Sequence, residues 1–156
     1  QYSKQIITLK ELLEKTEKIL SDAQELLIVA ETGEWLLQNE SLLKNKTLRL
    51  IISDPQCDYE KSFHRTKVRE VENKLKEVEL KHLEIKYLPF FENSRHMTLS
   101  KSKDKEEGIF FVREAKSLFI NPIYVQGKDY KKLYSFFQML WKNRSYSMSC
   151  TTRHCT

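Results

Sequence analysis

The sequence predicts an α/β domain with a single mixed sheet sandwiched by helices. Three observations carry that expectation. Over the first 88 residues, short continuous apolar runs alternate with amphipathic stripes, as in strands buried on both faces and joined by helical crossovers. After residue 95 the pattern changes to short β-rich runs followed by one aromatic helical stripe. The 156 residues, 40% apolar and 11% aromatic, are enough for one core, and no repeat or linker divides them.

Taken in order, Thr8-x-x-Glu11 reads as a capping box, and Leu9, Leu12, Leu13, Thr16, Ile19 and Leu20 share one stripe. An amphipathic helix is expected over about residues 5–21. Leu26-Leu27-Ile28-Val29-Ala30 is the first buried strand, and Trp35, Leu36, Leu42 and Leu43 mark a short helix around residues 33–44. Leu48 to Ile52, stopped by Ser53-Asp54-Pro55, is the second strand. Val68, Val71, Leu75 and Val78 form the narrow stripe of a long, mostly wet helix over about residues 60–81. Leu83 to Leu88 alternates as a third strand and stops before Pro89. Right-handed crossovers make these three strands parallel, with helices expected on both faces of this half.

The second part reads as a β-meander. Its strands are Met97-Thr98-Leu99, Ile109 to Val112, Leu118 to Ile120 and Ile123 to Val125, with Lys101 to Glu107 as a charged hairpin. Tyr130, Leu133, Tyr134, Phe137, Leu140 and Trp141 form a closing helix that begins near Gly127 and fades at Asn143. The domain is expected to span residues 1–144, with residues 145–156 a disordered or foreign tail.

Composition removes several classes. No apolar run reaches the ~18 residues that a membrane helix needs, so no insertion by this segment is expected. No secretory signal is visible in the sequence from Gln1, and the odd set Cys57, Cys150 and Cys155 closes no disulfide framework, so a reducing, cytoplasmic setting is expected. The start at Gln1 rather than Met points to a fragment whose flanking modules lie elsewhere. Gly33, Gly108 and Gly127 form no phosphate-cradling cluster, and His154 between Cys150 and Cys155 is a weak ligand pattern in a tail. No cofactor and no metal are expected. The net charge of +5 is C-terminal: residues 96–156 hold 11 Lys and Arg against 5 Asp and Glu. Because the signs interleave around Lys101 to Glu107, nucleic-acid contact is assigned to the missing modules, with a basic C-terminal binding surface as a further alternative.

The most informative stretch is Phe90 to Leu99, where a polar loop, Glu92-Asn93-Ser94-Arg95, leads into a strand beginning at His96. Together with the charged hairpin, Asn121-Pro122-Ile123-Tyr124 and a helix ending Phe136-Phe137-Gln138-Met139-Leu140-Trp141, it resembles one phospholipase D-like domain over about residues 20–144. Within that superfamily it is most similar to the sensor or regulatory domains of archaeal transcription regulators and signalling proteins. The resemblance implies His96 as the catalytic candidate, with a lysine two residues on to hold phosphate. That position is Thr98, the place of the family's aspartate falls on Lys103, and no second His motif exists. A nucleophilic histidine without a cationic clamp and a proton donor is not expected to turn over phosphodiesters.

What remains is a pocket. His96 and Thr98, with Arg113, Asn121 and Tyr124 from neighbouring strands, form a donor set suited to a small anionic or hydroxylated ligand. The expected function is therefore a non-catalytic sensor or regulatory domain that binds a small ligand or partner. The alternative is a phospholipase D-like phosphodiesterase or nuclease assembled as a dimer, with Lys101 or Lys103 as displaced clamp. A homodimer is expected through the valine and leucine stripe of the long helix and the aromatic closing helix.

Overall fold

The computed structural model describes residues 4–56, 62–89, 95–113 and 121–147. Along the chain run β1 (Lys4–Ile6), α1 (Leu9–Asp22), β2 (Glu25–Val29), α2 (Glu34–Leu37) with a 3-10 turn at Glu40–Leu42, and β3 (Thr47–Ser53). Then come α3 (Ser62–Glu77), β4 (His82–Leu88), β5 (Arg95–Lys101), β6 (Glu106–Val112) and β7 (Ile123–Gln126). Last is α4 (Gly127–Met139), which continues as a π-helical turn over Leu140–Arg144. The seven strands make one mixed sheet in the order β1-β7-β6-β5-β2-β3-β4, with β2, β3 and β4 parallel and every other pairing antiparallel. The expected strand at residues 118–120 and the loop at residues 90–94 lie outside the described residues. No helix among the described residues is long and apolar enough to cross a membrane.

The Thr8 capping box forms as read: the Thr8 hydroxyl accepts from the Glu11 N–H and the Glu11 carboxylate from the Thr8 N–H, each at 3.1 Å. That cap also corrects the helix start. A cap residue in extended conformation ends the helix behind it, so residues 4–6 leave α1 and become edge strand β1 against β7. The Ile7 N–H prolongs the pairing by donating to the Pro122 carbonyl at 3.0 Å.

Strand alternation divides the core in two. Leu26, Ile28, Leu48, Leu50, Ile52 and Ile109 face α1, α2 and α3, whereas Leu27, Val29, Ile51, Met97, Leu99 and Val125 face Tyr130 and Phe137 of α4. Both faces of the N-terminal strands carry helices, as expected, but α1, α2 and α3 all cover one of them. Two successive crossovers of one hand, stepping the same way along the sheet, put their helices on one side. The other face of the same strands is roofed by α4, from the far end of the chain. A second correction concerns α3. Its Val68, Val71 and Leu75 are fully buried in the core with Val78 partly so, and the stripe is not a free dimer face.

Polar clamps fix the helices on the sheet. The buried Lys46 ammonium donates to the carbonyls of Leu20, Ser21 (2.8 Å) and Ala23 (2.8 Å), which closes the C-terminus of α1. Burial pulls the Lys46 pKa below its usual value. Tyr87 of β4 donates to the buried Glu72 carboxylate of α3, which Arg69 also contacts at 3.0 Å. Lys105 joins Asp22 of α1 (3.3 Å) to Glu107 of β6 (2.9 Å). The chain stays attached to the sheet past residue 144: Tyr146 exchanges backbone hydrogen bonds of 2.9 and 3.1 Å with Tyr87.

Lys46→Met would remove a charged donor from three helix-end carbonyls, two of them in buried contacts. The expected loss is about 2–3 kcal/mol, read as a lower urea midpoint at unchanged slope. An unchanged midpoint would show that α1 is held without this group.

Candidate functional site

The chain order switches at β2. One neighbour, β3, arrives through the α2 crossover; the other, β5, arrives only after β4 has been laid down on the far edge. In open α/β sheets the crevice at the carboxyl end of such a strand is where ligands bind. At this end Val29 pairs with Met97, and β5 turns His96 and Thr98 toward the helices.

A cavity of about 410 Å3 lies there between α1, α2 and the sheet. Its walls include Leu12 and Thr16 of α1, Trp35 of α2, His96 and Thr98 of β5, and Ile109 and Phe111 of β6. Glu17 is the one charged side chain among its described lining residues. The space exists because the stripe of α1 is covered only in its second half. Ile19 and Leu20 are buried, while Leu9 and Leu13 are 55% and 72% exposed. A smaller cavity of about 210 Å3 adjoins it, bounded by residues 30–35, His96 and Arg113. Trp35 and His96 belong to both walls.

His96 is held by packing. Its ring stacks on Phe111, its cross-strand partner, with centroids 4.8 Å apart and planes 4° from parallel. Its Nε2 is buried and has no hydrogen-bond partner among the described residues. Burial first, and the nearby Arg113 charge second, push the imidazole pKa down to about 4, so the ring is neutral at physiological pH.

The structure brings together His96 and Thr98 on the large cavity, and His96 and Arg113 on the small one. It does not bring Asn121 or Tyr124 to either. Asn121 is exposed just before β7. Tyr124 faces the same side as Thr98 but donates to Glu107 at 2.8 Å, and its ring lies 4.1 Å from the Lys15 ammonium. Burial and then Glu107 hold that phenol far above the usual tyrosine range. The displaced clamp is also not assembled within one chain. Lys101 lies on the opposite face, over the Tyr134 ring at 4.4 Å, and at ~3.3 Å per residue it is about 17 Å along the strand from His96. Lys103 is exposed in the hairpin beyond it.

Sequence reasoning missed the α1 and α2 walls. The available signal was Thr16, a hydroxyl inside an otherwise apolar stripe, and Trp35, a large ring on a helix only four residues long. No group of His, Cys, Asp or Glu side chains among the described residues could hold a metal ion. Cys57, Cys150, His154 and Cys155 lie outside those residues. Neither the known protein-family models nor the curated proteins match this chain.

The neutral imidazole has a pH consequence. Unfolded, His96 takes up a proton near pH 6.5; folded, it resists until about pH 4. Between those values the unfolded chain binds the extra proton, so stability falls as pH drops, by roughly 3 kcal/mol in all. His96→Phe should flatten the stability curve across that window, and NMR titration should find the ring neutral at pH 5.5. An imidazole titrating near 6.5 would contradict the burial argument.

Proposed function

We propose that this chain is a non-catalytic, ligand-binding regulatory domain, a degenerate relative of phospholipase D-like sensor domains that works in the cytoplasm. One observation carries the reading: the cavity of about 410 Å3 at the carboxyl end of β2, with an imidazole nitrogen in its wall that has no partner among the described residues. That volume falls within the ~300–1,000 Å3 of small-molecule pockets. An unpaired buried polar atom costs about 1–3 kcal/mol, which a guest able to reach and hydrogen-bond it would offset.

The apolar walls favour an uncharged ligand body, and His96, Thr98 and Asn39 offer hydrogen bonds to hydroxyl groups. Catalysis on phosphodiesters is disfavoured by the missing clamp. Residue 98 is a threonine, Lys101 lies over the Tyr134 ring on the opposite face, and Lys103 is exposed in the hairpin. The output element is α1. It forms one wall of the cavity and is anchored at its C-terminus, so a guest acts chiefly on its first half and on Leu9 and Leu13 there.

The test is thermal unfolding of the full chain with 2-naphthol, a neutral aromatic alcohol. Saturable stabilisation is expected, about 2.7 kcal/mol at a hundredfold excess over Kd. Thr16→Trp, which fills the cavity, should abolish the response while leaving the far-ultraviolet circular dichroism unchanged. Absence of any response in the parent chain would remove the proposal. So would turnover of bis(p-nitrophenyl) phosphate that vanishes in His96→Ala.

A further inference from the structure

We infer that the site is bipartite and takes an amphiphilic monocarboxylate, with its apolar body in the inner cavity and its carboxylate in the outer one beside Arg113. This rests on the ligand-binding reading above and adds the chemistry of the guest. The two cavities share Trp35 and His96 as walls and so lie side by side, and the inferred guest of modest length would reach from one into the other past these two side chains. Their character differs. The inner walls are formed largely by leucine, valine, isoleucine and aromatic side chains. The outer space is bounded by the turn over residues 30–35 and by Arg113.

Charge sets the orientation. Glu17 is the one charged group described on the inner wall, and it repels a carboxylate there. Arg113, the first residue past β6, is exposed and has no carboxylate partner among the described residues. On the same outer rim the Glu34 carboxylate is neutralised by Lys67 at 2.9 Å. Glu31 also borders that space. The arginine offers a planar pair of donors that match a carboxylate. Its charge is close enough to depress the His96 pKa, so an anion placed there is within the same field.

Calorimetric titration of the full chain with 3-phenylpropanoate and with 3-phenylpropan-1-ol separates the arms. The two probes share a body and differ in the head. Both are expected to bind, the carboxylate roughly three- to tenfold more tightly, as a partly exposed ion pair allows. Arg113→Gln should close that gap without weakening the alcohol, and Thr16→Trp should weaken both. Equal binding of the two probes, or a gap that survives Arg113→Gln, would overturn the bipartite site while leaving the inner cavity as a binding site. Failure of both probes to bind would overturn this inference and count against the ligand-binding reading as well.

Discussion

The ammonium of Lys46 is the constraint on which the rest of the structure depends. The last carbonyls of a helix have no partner inside it, and here those of Leu20 and of the cap residue Ala23 are buried. Lys46 supplies the missing donors to Leu20, Ser21 and Ala23 of α1. The same residue leads directly into β3, and its own carbonyl accepts from the Lys81 N–H at 2.9 Å. Asn45 before it adopts a left-handed φ of 65°, a conformation Asn tolerates better than most residues, and its N–H reaches the Glu79 carbonyl at 2.7 Å. One end of the sheet thus gathers α1, β2, β3 and the turn before β4 around a single buried cation. Among the described residues the opposite end has no comparable clamp on α1, and that is where the cavity lies.

This division of labour makes sense of a histidine at the start of a strand with no catalytic company. A nucleophilic imidazole needs a fixed cation and a proton donor around the same phosphorus. His96 instead stacks on Phe111 and faces apolar walls, where its neutral form is favoured. On the proposed reading, such a group would serve as a hydrogen-bonding contact for a small molecule. The helix covering it is fixed at one end and loosely covered at the other, and the proposed output through Leu9 and Leu13 rests on that asymmetry.

The sheet was largely legible in the sequence because each strand carries its own signature. Leu26 to Ala30 and Leu48 to Ile52 are apolar without interruption, as strands covered on both faces must be, and they pair in parallel as expected. Less legible was the identity of the covering layer. The Val68, Val71 and Leu75 spacing predicts a stripe, but periodicity alone does not say whether the chain itself or a second copy covers it; the answer came from the hand of the crossovers. His96 and Thr98 were legible as a loop-to-strand junction. Tyr124 was not, because a partner two strand residues away in register, Glu107, already claims its hydroxyl. The cavity walls from α1 and α2 left only the faint marks of Thr16 and Trp35, since a partly uncovered stripe has the same periodicity as a covered one.

The bridge between Tyr87 and Tyr146 also bears on how the molecule behaves in a crowd. An open sheet presents two rows of unpaired backbone groups, and β4 is one of its edges. Its neighbours along the sheet are long and apolar, which is the composition that favours strand addition by another chain. Tyr146 occupies part of that edge, and the Lys86 ammonium beside it donates to the Trp141 carbonyl at 3.0 Å, so the end of the closing helix covers the rim. The other edge, β1, is only three residues long and carries Lys4. Both margins are blunted by different devices, one by the returning chain and one by brevity and charge, and the last turn of the fold doubles as a guard against self-association through the sheet.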